Sequence, residues 1–263
     1  MSDSEETKSV AAVERAFSVL EAFRDGDALL SLAQLAERTG LYKSTILRLL
    51  LTLERLGYIG RTAAGDYHIG PAPLRLGRLY QSTVRPEGVI TPALQNLVNK
   101  TGESASFHVR LNDRRLCLYR IDSPQIVRDH YMPGDELPLD RGAGGVILTA
   151  FSEPFDPAYA KERENLAVIS RGSLNADMAG VAAPVFDAEG KIVGALTLSG
   201  PATRFGDEAA ERFRTLLIDT ARQVTTALGG DTRPFDRVRD ADAKGIQPSP
   251  NAKHKQNHKE NNA

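Results

Sequence analysis

The sequence predicts an α+β chain of two domains: a small helical one closed by a two-stranded hairpin, then a larger one of mixed helix and strand. Three observations carry that expectation. Apolar residues recur at helical spacing in three segments before residue 57, two short β-prone runs follow at once, and beyond Pro86 and Gly88 strand-like runs alternate with amphipathic helix. A length of 263 residues suits two cores, and 41% hydrophobic with 25% charged residues excludes wholesale disorder.

The elements follow in order. Residues 1–9 are polar and read as a flexible tail. Val13, Phe17 and Leu20 mark a first helix over 10–23, and a charged turn containing Gly26 follows. Ser31 has the character of an N-cap, Leu32, Leu35 and Ala36 share a face, and Gly40 closes the second helix. The stretch GLYKSTILRLLLTLERLGYI (40–59) supplies the third. At about 100° per residue, Ile46, Leu49, Leu50, Leu53, Leu56 and Gly57 form a core-facing stripe. Ser44, Arg48, Thr52 and Arg55 lie opposite, with Thr45 at the edge. Leu47 and Leu51 lean toward the polar side and are expected to pack on another helix or a partner subunit. The runs 58–61 and 67–69, around the turn 63–66, form a hairpin.

Helix, helix, glycine turn, helix and hairpin together describe a winged helix-turn-helix, whose third helix enters a DNA major groove. The local charge agrees. Between residues 41 and 80, Lys43, Arg48, Arg55, Arg61, Arg75 and Arg78 stand against Glu54 and Asp66 alone, although the whole chain has a formal charge of −1. An amphipathic helix with arginines on its wet face is ordinarily just a solvated surface; the complete ordered set, with the charge on the correct side, points to DNA. Lys43, Ser44, Thr45, Arg48, Thr52 and Arg55 are the expected groove contacts, and Arg61 in the wing a phosphate contact.

A short helix over 74–80, between Pro71 and Pro73 on one side and Pro86 and Gly88 on the other, reads as a linker. A helix over 90–100 follows, then strands over 104–111 and 115–121 joined at Asn112-Asp113. A further strand is expected over 126–132, then a Gly-rich loop and a helix over 146–151. Runs 181–187 and 191–199 form another hairpin, and 205–228 a closing helix. Pro, Asn, Lys and Asp then dominate. The expected boundaries are a tail over 1–9, the DNA-binding domain over 10–70, the linker over 71–88, the second domain over 89–230 and a disordered tail over 231–263.

The single Cys117 excludes an internal disulfide and fits a reducing compartment. The acidic start MSDSEETKSV is the reverse of a secretory signal, and no 18 apolar residues run together, so a cytoplasmic protein without a membrane span is expected. His108, His130 and Cys117 match no ligand or nucleophile spacing, and no Walker or dinucleotide fingerprint occurs. Neither an enzyme, a cofactor nor a metal site is expected.

Several segments carry a family resemblance: VERAFSVLEAF (13–23), LAQLAERTGLYKSTILRLLLTL (32–53), GYI (57–59), LPLDRGAGGVILTAF (137–151), VAAPVFDAEG (181–190), ALTLSGP (195–201) and Arg204-Phe205. Over residues 10–228 the chain resembles the IclR family of bacterial transcription regulators. The resemblance implies a repressor or activator with a GAF-like α/β effector domain, acting as a homodimer or homotetramer on palindromic operator DNA. Two departures stand out: Gly145 replaces the family's usual lysine, and the segment between Phe151 and Val181 is short.

The resemblance carries effector contacts onto Gly142, Ala143, Gly180, Thr197 and Ser199, and more loosely onto Ser170. The residues add their own reasons. Gly142, Ala143 and Gly144 precede a helix and offer backbone N–H groups to a carboxylate, and Thr197 and Ser199 share one face of a strand. Tyr131, His130 and Met178 are candidate walls, while Arg128, His130 and Arg141 could add positive charge. The expected effector is a small organic acid, an aromatic carboxylate ahead of a short keto acid. In the alternative reading the second domain serves only oligomerisation. Segments 74–80 and 205–228 are the candidate contact surfaces between copies.

Overall fold

A computed structural model describes residues 10–24, 26–83 and 87–236. The expectations for 1–9 and for 237–263 lie outside the described residues. Contacts divide the chain into two units, Met1–Val84 and Arg85–Ala263.

The first unit holds α1 (Ala11–Glu21), α2 (Leu32–Thr39), α3 (Lys43–Arg55), the hairpin β1 (Ile59–Arg61) with β2 (Tyr67–Ile69), and α4 (Ala72–Thr83). Ser31 caps α2 in a full capping box: its side chain accepts from the Gln34 N–H while the Gln34 side chain accepts from the Ser31 N–H. Gly40, at φ 68°, ends α2 in the left-handed conformation that turns the chain toward α3. Val19, Leu30, Leu35, Ile46, Leu50, Leu53, Ile59 and Tyr67 form one buried cluster. Leu30 and Tyr67 exchange both backbone hydrogen bonds, at 2.9 and 2.8 Å, which ties the hairpin to the segment before α2. Leu56 does not join the core stripe. It caps α3 at ψ −3°, so the helical wheel stops applying, and it is 56% exposed. Helix α4 is longer than the expected 74–80 and belongs to this unit.

The second unit is a six-stranded antiparallel sheet in the order β5-β4-β3-β8-β7-β6. Its elements are α5 (Glu87–Thr101), β3 (Ser104–Leu111), β4 (Arg114–Ile121), β5 (Glu136–Pro138), α6 (Ala143–Ala150), α7 (Ala160–Asn165), β6 (Val168–Arg171), β7 (Met178–Phe186), β8 (Ile192–Pro201) and α8 (Asp207–Ala227). Helices α5 and α8 cover one face over a core that includes Leu94, Ala105, Phe107, Val181, Leu196, Leu198, Phe213 and Leu217. The opposite face carries α6, packed through Ile147 and Leu148 on Ala182 and Ala195.

Four expectations are corrected here. No strand forms over 126–132. Ile126 and Val127 are exposed, and the segment is held by arginines instead of a strand ladder: Arg204 donates to the Val127 carbonyl and Arg120 to that of Asp129. The strand that pairs with β4 is β5, a few residues later. Helix α6 begins at Ala143, three residues before the expected start, after Gly142 at φ 77°; Gly144 and Gly145 pack tightly inside it, and a Cβ on Gly145 would lie 2.3 Å from the Leu139 carbonyl oxygen. Helix α7 and strand β6 occupy the segment after Phe151 that carried no expected element.

Finally, the core does not stop at 230. The Asp231 N–H donates to the Asp187 carbonyl at 2.8 Å, and Phe235 is fully buried, edge-on to Phe186 with ring centroids 5.7 Å apart. Apolar content alone hides this, since a single aromatic suffices to anchor a polar segment. Phe235→Ala should therefore destabilise the second unit by roughly 3–5 kcal/mol, seen as a lower denaturation midpoint with an unchanged m-value. A midpoint matching wild type would place Phe235 outside the core.

Candidate functional site

In the first unit the outer face of α3 is the charged feature. Lys43, Ser44, Arg48, Thr52 and Arg55 are exposed and Thr45 is half-buried. Arg38, by contrast, is tied to Asp27 and the Ala22 carbonyl. No such partner engages the side chains of Lys43, Arg48 or Arg55 among the described residues. Arg61 is exposed on β1 with its guanidinium 5.5 Å from the Tyr67 ring centroid. Tyr42, passed over in the sequence, precedes α3 and is 85% exposed. Leu47 and Leu51, expected to pack on another helix or a partner, are exposed on this same side.

In the second unit a cavity of about 480 Å³ opens on the sheet face away from α5 and α8. Strand alternation explains its chemistry. On β3 and β8, Ala105, Phe107, Leu196 and Leu198 point into the helix-covered core. Their neighbours Ser104, Ser106, Thr197 and Ser199 therefore point the other way, with Ser106 opposite Thr197 and Ser104 opposite Ser199. Tyr131, Gly142, Ala143, Gly144, Ser170, Met178, Gly180, Thr197 and Ser199 all line the cavity, as do Arg128 and His130. Arg141 does not; it is half exposed and pairs with Asp140.

Strand β4 contributes what alternation could not show. Phe107 pairs with Tyr119 and His108 with Cys117, so Leu118 is an extra residue and forms a β-bulge. The bulge reverses the phase of the strand. Arg115 and Arg120, at odd spacing, thus reach the same face, while Tyr119 joins the helix-side core.

The two arginines differ in their partners. Arg120 donates to Asp129 at 2.8 Å and to Asp122 at 2.7 Å, and lies 4.0 Å from the Tyr131 ring centroid. Burial disfavours its charge, but Asp129, Tyr131 and Asp122 together outweigh this and hold its pKa above the usual value. Arg115 is only 3% exposed, donates through Nε to the Pro138 carbonyl at 3.1 Å, and meets no carboxylate among the described ion pairs. Burial pulls its pKa below the usual arginine range. Its guanidinium lies against the start of α6: a Cβ on Gly144 would fall 2.5 Å from Nη1 and 3.0 Å from Thr197 Oγ1. The first-turn N–H groups of α6 have no acceptor within the helix, and that of Gly142 is taken by Ser173 Oγ at 2.9 Å. A buried cation, helix amides and a hydroxyl converge at this end.

The other end is internally satisfied. Ser199 Oγ donates to Asp129 at 2.5 Å, Tyr131 Oη lies 3.3 Å from Ser199 and 3.0 Å from Ser106. With the Ser199 proton already given to Asp129, Tyr131 donates to Ser199 and Ser106 donates to Tyr131. Burial raises the Tyr131 pKa, so the phenol keeps its proton. His108 is fully buried with Nε2 unpartnered and Nδ1 3.4 Å from Thr197 Oγ1. Burial, then Arg115 and Arg120, hold its pKa well below the usual value, so it is neutral. Burial pushes the Cys117 thiol up to about 12, which leaves no thiolate for nucleophilic work.

Arg115, Asp129, Leu137, Ser173, Leu174, Asn175 and Ala179 also line the cavity and were not anticipated. Arg115 was hidden by the bulge, and Ser173 to Asn175 by the unread segment after Phe151. Among the described residues no three His, Cys, Asp or Glu side chains converge as a metal site, and no helix is long and apolar enough to cross a membrane.

Residues 12–63 match the family model of the IclR helix-turn-helix domain, and residues 158–226 that of the bacterial transcriptional regulator IclR C-terminal domain. The transcriptional repressor IclR of Escherichia coli K12 is 24% identical over 254 residues, spanning 85% of this chain and 92% of the relative. The DNA-binding transcriptional repressor YiaJ of the same organism is 27% identical over 232 residues, 77% of this chain and 82% of that protein. Among solved structures, an IclR-type regulator from Silicibacter sp. TM1040 superposes with a TM-score of 0.76 at 23% identity, covering 85% of this chain and 98% of its own. An IclR homologue from Microbacterium hydrocarbonoxydans, complexed with 4-hydroxybenzoate, superposes with a TM-score of 0.68 at 20% identity, covering 83% and 99%. The two matched domains stand in the family's order over the two units of this fold, and the chain belongs to the IclR family of DNA-binding transcriptional regulators.

Proposed function

We propose that this regulator reads its operator with the outer face of α3 and is controlled by a small organic acid held in the second-unit cavity. For DNA, the support is the set of exposed, unpaired cations on one helix face. Ser44 and Arg48, near the N-terminal end of α3, contact base edges; Lys43, Thr45, Thr52 and Arg55 flank them; Arg61 in the wing contacts phosphate.

For the effector, the observation that carries the reading is Arg115. A buried guanidinium without a carboxylate is costly, and an anionic ligand removes that cost. The carboxylate lies between Arg115, the α6 amides and Thr197. Asp129, at the other end, accepts from a hydroxyl. Thr197 and Ser199 are two residues apart on one strand, about 6.6 Å, which leaves an aromatic ring's length between the poles. A hydroxylated aromatic carboxylate fits both, and the 4-hydroxybenzoate carried by the Microbacterium homologue is of this kind. Because an operator with two half-sites needs two reading heads, the working form is at least a dimer. The exposed apolar residues Val13, Phe17, Leu74, Leu76 and Leu79 offer a contact surface on α1 and α4. The free face of α8, with Glu208, Glu211, Arg212 and Asp219, is charged and suits this less.

Arg48→Ala should weaken operator binding by about 1–3 kcal/mol without loss of melting temperature, measured by gel shift. Arg61→Ala should weaken binding to all sequences and flatten the salt dependence. Wild-type affinity in the Arg48 variant would move the reading face elsewhere. In thermal shift, 4-hydroxybenzoate at about a hundred times its Kd should stabilise the chain by about 2.7 kcal/mol. Arg115→Met should abolish that response while leaving the ligand-free protein as stable or more so, by up to about 4 kcal/mol. An undiminished shift in Arg115→Met would remove Arg115 from the site. If no organic acid shifts the wild type, the second unit serves assembly alone. A monomeric mass by light scattering, with and without DNA, would refute the dimer.

A further inference from the structure

The outer face of α3 is not uniformly polar. Leu47 is 40% and Leu51 is 68% exposed, and neither belongs to the buried cluster of the first unit. Both stand among the cations. Leu47 neighbours Lys43 and Ser44 at helical spacing, and Leu51 lies one turn from both Arg48 and Arg55. The interior does not require these side chains, yet each leaves a large apolar surface in water.

The occupant of this face follows from its charge. A protein partner covering the leucines would also bury Arg48 and Arg55, and unpaired buried cations are costly. A polyanion meets them with phosphates. The major groove of DNA offers one apolar group at its base edges, the thymine 5-methyl. We propose that Leu47 and Leu51 read thymine methyl groups, so that the operator carries thymine beneath α3 at positions no hydrogen bond from Ser44 or Arg48 specifies. This rests on α3 being the reading helix. The control for that premise is Arg48→Ala, which must weaken binding whatever the leucines do.

The test replaces thymine by deoxyuridine, which removes the methyl and leaves the hydrogen-bonding edge unchanged. The probe is a duplex selected from a random-sequence pool by the full-length chain. Each buried methyl is worth about fourfold in affinity, so a site read by two copies should lose more than about tenfold in wild type. The salt dependence should not change, because no phosphate contact is altered. Leu47→Ala with Leu51→Ala should bind the thymine duplex about as weakly as wild type binds the deoxyuridine duplex, and should not distinguish the two. Both leucines are exposed, so this variant should melt with wild type. Equal wild-type affinity for the two duplexes overturns the proposal, as does selection of half-sites without thymine. A changed oligomeric mass in the double variant, with the duplex discrimination intact, assigns the leucines to a protein partner and overturns it too.

Discussion

The covering of one sheet face by α5 and α8 is the constraint on which the second unit depends. Once Ala105, Phe107, Leu196 and Leu198 face those helices, the backbone pleat leaves Ser104, Ser106, Thr197 and Ser199 no choice of direction. The sheet is therefore a partition between two media: hydrocarbon on the helix side, hydrogen-bonding groups on the other. Helix α6 covers only part of the polar side, through Ile147 and Leu148, and the cavity is the remainder.

That partition is crossed by one irregularity. An extra residue at Leu118 lets β4 place Tyr119 in the helix-side core and both Arg115 and Arg120 on the polar side. The two cations then meet different surroundings. Asp129 neutralises Arg120 and is fixed by it, together with the segment that carries Tyr131. Arg115 donates to the Pro138 carbonyl, lies against the glycines of α6, and meets no carboxylate among the described ion pairs. A Cβ on Gly144 would displace the guanidinium, and one on Gly145 would strike the Leu139 backbone. A side chain at Gly145 could not be accommodated here without moving the backbone.

Much of the fold was legible in the sequence, for identifiable reasons. Ser31 and Gly40 announced both ends of α2, and the 3.6-residue period of α3 separated Ile46, Leu50 and Leu53 from Ser44 and Arg48. The alternation in β8 put Thr197 and Ser199 together in the cavity. What failed was tertiary in origin. Leu56 obeys a helical wheel only if the helix continues, and it does not. The segment 126–132 has strand composition but is claimed by Arg120 and Arg204. Phe235 lies in a polar stretch whose single anchor is visible only once Phe186 is in place. Arg115 could not be found by any periodic rule, because a bulge is by nature a break in period.

The hydroxyl chain from Ser106 through Tyr131 and Ser199 to Asp129 has a direction, since each proton is already committed to the next oxygen. A ligand group that approaches Asp129 must bring its own proton. Under the proposed function, an ether or a halogen in place of that hydroxyl would face the carboxylate with lone pairs only, and the hydroxyls of Ser199, Tyr131 and Ser106 would have no proton to turn toward it. On the proposed function, the cavity would tell apart ligands of nearly equal size and shape by whether one atom donates or accepts a hydrogen bond, a filter that neither volume nor net charge could supply.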